Sequence, residues 1–133
     1  MKERLKKAER IRSVREQLQR AAEWRLAAAT RERAALEETR GALLATLADD
    51  LFGPLLLEQA ARHLNRVAVE AARAEAYQRQ QELRVRDEAL ALKRAERMEE
   101  NARRAANAAD ERAHTAEIAE TSALRSPPDA SST

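Results

Sequence analysis

Residues 49–57 read Asp49-Asp50-Leu51-Phe52-Gly53-Pro54-Leu55-Leu56-Leu57. Gly53-Pro54 is the only pair of adjacent helix breakers ahead of Pro127. A glycine just past one helix end, followed by a proline in the first turn of the next, is the usual punctuation between two helices. About fifty residues of helix-forming sequence precede the pair and about seventy follow it. The expected fold class is therefore all-α, a long antiparallel two-helix coiled-coil hairpin. The first helix is expected over 2–51, the turn over 52–54 and the second helix over 55–123. Together, 1–125 form one helical hairpin. The remaining stretch, 126–133 (SPPDASST), holds two prolines and no large apolar side chain. It is expected to be a disordered tail, because it cannot bury enough surface to offset chain entropy.

Composition agrees with that reading. The chain has 133 residues, 36% of them charged and 2% aromatic. Ala, Arg, Glu, Leu and Gln dominate, the profile of a long helix or coiled coil. Trp24, Phe52 and Tyr77 are the only aromatic residues, too few for a rounded core of this size. Burial must run along a seam, each helix offering one stripe. In the first helix an apolar stripe runs through Ile11, Val14, Leu18, Ala22, Leu26, Ala29, Leu36, Leu43, Leu47 and Leu51, interrupted by Arg33 and Arg40. Its mean step of about 3.6 residues is that of a straight helix. Gly41 is a weak point within it.

The second helix keeps a strict period of seven. Leu57, Leu64, Ala71, Gln78, Val85 and Leu92 form one series. Val67, Ala74, Gln81, Glu88, Ala95, Ala102, Ala109, Ala116 and Ala123 form another, three positions on. These are the a and d positions of one heptad register. The seam is leucine-rich near the turn, polar around 75–82 and alanine-rich beyond 95. A third series, Val69, Ala76, Leu83 and Leu90, falls at f, about 140° from a. It should face away from the partner helix, with Tyr77 beside it, either as scattered exposed residues or as a contact face for another protein. A fold about residue 53 sets Leu43 against Leu64, Leu36 near Ala71, Val14 near Leu92 and Ile11 near Ala95. Arg33 and Ala29 then face Glu75 and Gln78, so the middle is expected to be loose, bent or frayed. The second helix overshoots the first, leaving roughly 106–123 without a partner. Trp24 lies two residues off the traced stripe and is expected to cover the loose middle or to dock into a partner.

Net charge is +2, but its layout is uneven. Lys2, Arg4, Lys6, Lys7, Arg10, Arg12, Arg15 and Arg20 face only Glu3, Glu9 and Glu16 over the first twenty residues. Such a basic start suits an acidic protein surface, a nucleic acid or an anionic membrane. A protein is favoured, because carboxylates interleave with the basic residues and no aromatic-bearing basic loop exists to stack bases. With no cysteine there is neither a disulfide framework nor a thiolate metal site. MKERLKKAER has no apolar stretch behind it and does not read as a secretory signal. His63 and His114 are fifty-one residues apart, too far along a helix to share a metal. No HExxH, phosphate-cradling glycine loop or nucleophile elbow is present. Adjacent carboxylates such as Glu37-Glu38 and Glu99-Glu100 point in different directions around a helix. No catalytic, cofactor-binding or metal-binding residue is expected, and the chain does not read as an enzyme.

The basic start (KERLKKAERIRSVREQLQRA), the longer Gln/Arg/Glu-rich second helix (AYQRQQELRVRDEALALKRAERMEENARRAANAADE) and the absence of cysteine together resemble the FliJ/YscO family. These are the central stalk proteins of flagellar and type III secretion export ATPases. The likeness covers most of 1–123 and is one of length, pattern and composition. It implies a coiled coil like that of the rotary ATP synthase gamma subunit, its joined terminal ends held in a hexameric ATPase ring. The other end would reach the membrane export gate and export chaperones. The ring-facing end would be 1–20 with 95–123, and Lys6, Lys7, Arg10, Arg12 and Arg15 would face acidic ring loops. Val69, Tyr77, Leu83 and Leu90 would be the gate or chaperone contact. The implied location is cytoplasmic, peripheral at the inner membrane through its partners. Two other readings stay open: a generic structural coiled coil that oligomerises or scaffolds, and a nucleic-acid-binding protein using its basic N-terminal helix.

Overall fold

The computed structural model describes residues 2–49 and 53–125. It is all-α, with two long helices packed against each other. Helix α1 runs Lys2–Leu47 and helix α2 runs Pro54–Arg125. The expected tail, 126–133, and residues 50–52, on which the expected end of the first helix and start of the turn fall, lie outside the described residues.

The Gly53-Pro54 pair acts as its chemistry dictates. The Leu57 amide donates to the Gly53 carbonyl over 3.1 Å, so Gly53 closes the first helical turn and Pro54 is the first helical residue. Proline is at home there because its missing N–H would have had no intrahelical partner. At the far end, α2 is described as far as Arg125.

Helix α1 ends earlier than the sequence suggests. It stops at Leu47, and Ala48 and Asp49 are not helical. The Asp49 amide turns back to the Thr46 carbonyl at 3.2 Å, the tighter three-residue spacing that closes a helix. The last turns carry Thr39, Gly41 and Thr46, all weak helix formers, and the final turn has no basic residue to complement the helix dipole. Gly41 itself does not interrupt the helix.

By packing, the chain divides into two units. The first to consider is Arg15–Leu92, a helical hairpin. Its partners run in opposite directions: Arg15 reaches Glu88, and Arg33 reaches Gln78. Ala22, Ala29, Val67, Ala71 and Gln81 are buried there. Both helices are continuous through the middle, which is therefore not frayed as expected. Small side chains close it, and Arg33 donates from a terminal guanidinium nitrogen to Gln78 Oε1 over 3.3 Å. Gln78 in turn donates to Glu82.

The second unit joins residues 2–14 of α1 to 93–125 of α2. Ala8, Ala95, Ala102 and Ala106 are its buried apolar residues. Beyond Ala109 every described residue of α2 is exposed, so the overshoot reaches from about 110 to Arg125.

The seam of α1 follows the traced stripe from Ala22 to Leu47 but departs from it before Ala22. Val14 and Leu18 are 53% and 42% exposed and do not lie in it. The sheltered residues instead form two series of seven. One is Ala8, Arg15, Ala22, Ala29, Leu36 and Leu43; the other is Leu5, Arg12, Gln19, Leu26, Arg33 and Leu47, with exposed Arg40 as its gap. A strict seven-residue period, not 3.6, is the pattern of paired helices that wind around each other. The α2 seam follows the first expected series, which continues through Glu99 and Ala106, and the second as far as Ala109; Ala116 and Ala123 are exposed. Among the described residues, every buried apolar residue but Val67 is alanine. Each buried methyl contributes only about 0.8 kcal/mol. Helix strength must therefore come from alanine propensity and from Glu-to-Arg pairs four residues apart. Four such pairs occur on α2, at Glu58–Arg62, Glu75–Arg79, Glu99–Arg103 and Glu100–Arg104.

Candidate interaction surface

The five N-terminal basic residues separate into two groups. Lys6, Lys7 and Arg10 are exposed. Arg12 and Arg15 occupy seam positions and are engaged with carboxylates of α2. Arg12 Nε pairs with Glu99 Oε2, and the other Glu99 oxygen accepts from Arg103 at 2.6 Å. Glu99 is 7% exposed. Both carboxylate oxygens are thus paired, which offsets part of the cost of burying the group. Arg15 lies 3.7 Å from Glu88 Oε2, an ion-pair distance too long for a hydrogen bond, and that oxygen has no hydrogen-bond partner. Arg33 Nε and Gln81 Oε1 are likewise buried without one. Charged and polar side chains at seam positions reduce stability but fix register and direction, since only one alignment pairs them.

Glu99 lies one heptad beyond Leu92, the last residue of the first α2 series read from the sequence. Counting on by seven reaches it. Beside it, a shallow groove has Ala8, Ile11, Met98 and Ala102 in its walls, with Arg4 and Lys7 also lining it.

The off-seam residues are all exposed: Val69, Tyr77, Leu83 and Leu90. Val69, Ala76, Leu83 and Leu90 recur every seven residues along the side of α2 turned away from its seam. Their neighbours on that side sit at the b and c positions. These include Arg66, Arg73, Arg79 and Arg86, all exposed, against a single acid, Asp87. The other carboxylates of this stretch, Glu70, Glu75, Glu82 and Glu88, fall at g, e and d, nearer the seam. Among the described residues Arg66, Arg73 and Arg86 form no ion pair, while Arg79 turns to Glu75 at 2.7 Å. The apolar series is visible in the sequence, but its basic border emerges only when charges are sorted by heptad position.

Trp24 is 78% exposed. Two residues past Ala22 it lies on the far side of α1, so it covers nothing in the middle of the hairpin. His63 and His114 are both exposed. Among the described residues no group of three His, Cys, Asp or Glu side chains could hold a metal ion. No helix there is long and apolar enough to cross a membrane. Family models, curated proteins and solved structures were all compared with the chain, and none matches.

Proposed function

We propose that this chain is a non-enzymatic coiled-coil adaptor that works through its helix faces, and that its role is the stalk of a type III or flagellar protein-export ATPase. The observation that carries the reading is the terminal unit. An alanine seam lets two helices lie close, so the pair is slim enough for a narrow channel, and Lys6, Lys7 and Arg10 stand exposed upon it. The resemblance to the FliJ/YscO stalk proteins supports the same assignment. In this reading the terminal end enters a hexameric ring and meets acidic loops there. The face bearing Val69, Tyr77, Leu83 and Leu90 meets an export gate or chaperone. The protein works in the cytoplasm, reaching the membrane through its partners.

Arg12 and Arg15 then play a different part from the other basic residues. They are held by Glu99 and Glu88, so they align the two helices. Their engagement also leaves a smaller basic surface for nucleic acid. The test is to add the purified chain to a purified export ATPase. Binding and raised turnover, both lost in Lys6→Glu/Lys7→Glu/Arg10→Glu, are expected. Unaltered turnover with no binding would refute the stalk role.

A second reading is supported by the alanine series Ala109, Ala116 and Ala123, which continues past the last buried residue. A second copy pairing there would make the chain a structural coiled coil. Light scattering then shows a mass that doubles with concentration, and truncation after residue 109 abolishes the doubling.

A further inference from the structure

We infer that the outer face of α2 between Arg66 and Leu90 docks an acidic amphipathic helix of a partner protein. The inference rests on reading the chain as an interaction module, and it holds whatever ATPase or other machine the terminal end serves.

Val69, Ala76, Leu83 and Leu90 form a stripe one residue wide along about 32 Å of helix. The stripe lies opposite the seam, so α1 does not cover it, and Val69, Leu83 and Leu90 are each close to half exposed or more. Single exposed leucines are ordinary, but a repeat of seven is the spacing at which a second helix stays in contact as it winds. A lipid surface needs a broad apolar face, and this stripe is too narrow for insertion. A nucleic acid would gain nothing from the leucines, since phosphates are gripped by charge.

Charge selects the kind of helix. Arg66, Arg73 and Arg86 border the stripe, and among the described residues none forms an ion pair. Their stems add apolar surface beside the leucines while their heads reach outward. Asp87 is the one opposing charge on this side. A helix with leucines on one face and glutamates at their flanks would bury the stripe and meet the arginines. A basic helix would meet the same surface with like charges and be repelled.

The test is fluorescence anisotropy with the full chain. The probe is a labelled synthetic helix of about four heptads, long enough to span the stripe. It carries leucines on one face and glutamates flanking them, and a twin carries lysines instead. The glutamate probe is expected to bind and the lysine probe not. Leu83→Asp should weaken binding about tenfold. The double variant Arg73→Glu/Arg86→Glu should reverse the preference, binding the lysine probe. That gain of binding cannot arise from misfolding. Failure to bind either probe, equal binding of both, or an unreversed preference in the double variant would overturn the inference. So would tight binding to phosphatidylglycerol vesicles that is lost in Leu83→Asp, because the face would then serve a membrane.

Discussion

Replacing Glu99 by leucine should stabilise the protein, and replacing its partner Arg12 by alanine should destabilise it. Glu99 is 7% exposed at a seam position, with one oxygen on Arg12 and the other on Arg103. Keeping a carboxylate there costs several kcal/mol in lost hydration. The two ion pairs offset part of this, but the Arg12 and Arg103 side chains are 32% and 52% exposed, so solvent screens them. Each is worth about 1 kcal/mol at most after screening. Leucine at 99 removes the desolvation cost and buries an apolar side chain worth about 2 kcal/mol. Both arginines then swing into water. The net gain is expected to be about 1–3 kcal/mol. Arg12→Ala does the opposite, leaving Glu99 Oε2 buried with its partner gone, at a cost of about 1–2 kcal/mol. Thermal and urea unfolding followed by circular dichroism at 222 nm would show midpoints moving in opposite directions, by a few degrees per kcal/mol. If Glu99→Leu destabilised the protein as much as Arg12→Ala does, the ion pair would be a net source of stability and the reasoning would be wrong.

Four further outcomes follow from burial and helix geometry. Ala22→Leu forces a large side chain into a closed seam and should cost about 1–3 kcal/mol, whereas Ala113→Leu on the exposed overshoot should change the unfolding midpoint little. Gly41→Ala meets nothing within 4 Å and lies inside α1, so it should raise stability by about 0.5–1 kcal/mol in the same melts. Ending the chain after Asp110 should reduce total helical signal yet leave the cooperative midpoint unchanged, since the removed part of α2 is exposed throughout. Trp24 should fluoresce with the long-wavelength emission of a hydrated indole and be quenched freely by iodide; a blue-shifted, protected emission would mean that a second chain covers it.

Much of this architecture can be read directly from residues. Gly53-Pro54 announces the turn because both depart from helix chemistry in the order that ends one helix and starts another. The α2 seam is plain because Leu57, Leu64, Val67, Ala71, Val85 and Leu92 are apolar where the heptad needs them. The α1 seam is legible from Ala22 to Leu47 but hidden before Ala22, for the converse reason. Arg12, Arg15 and Gln19 occupy its inner positions, while Val14 and Leu18 stand outside and attract the eye. Hydrophobicity alone follows the wrong side of the helix there, because the deciding interactions are ion pairs with Glu99 and Glu88 across the seam. The end of α1 is equally hard to read. Asp49 follows apolar residues that permit helix, and its return to Thr46 is a matter of backbone geometry. Of the candidate surface, the Val69–Leu90 series can be found by counting sevens. The burial of Glu99 and the pairing of Arg12 depend on the partner helix.

All of this stands on α1 pairing antiparallel with α2 of the same chain. The chain lacks cysteine, so two can be introduced without competition. Lys7 and Asn101 are both exposed and line the same groove of the terminal unit. Lys7→Cys/Asn101→Cys treated with a short bis-maleimide should give an internally bridged monomer at every protein concentration. Bridging that appears only between chains, and grows with concentration, would show that the helices pair between molecules and contradict the hairpin.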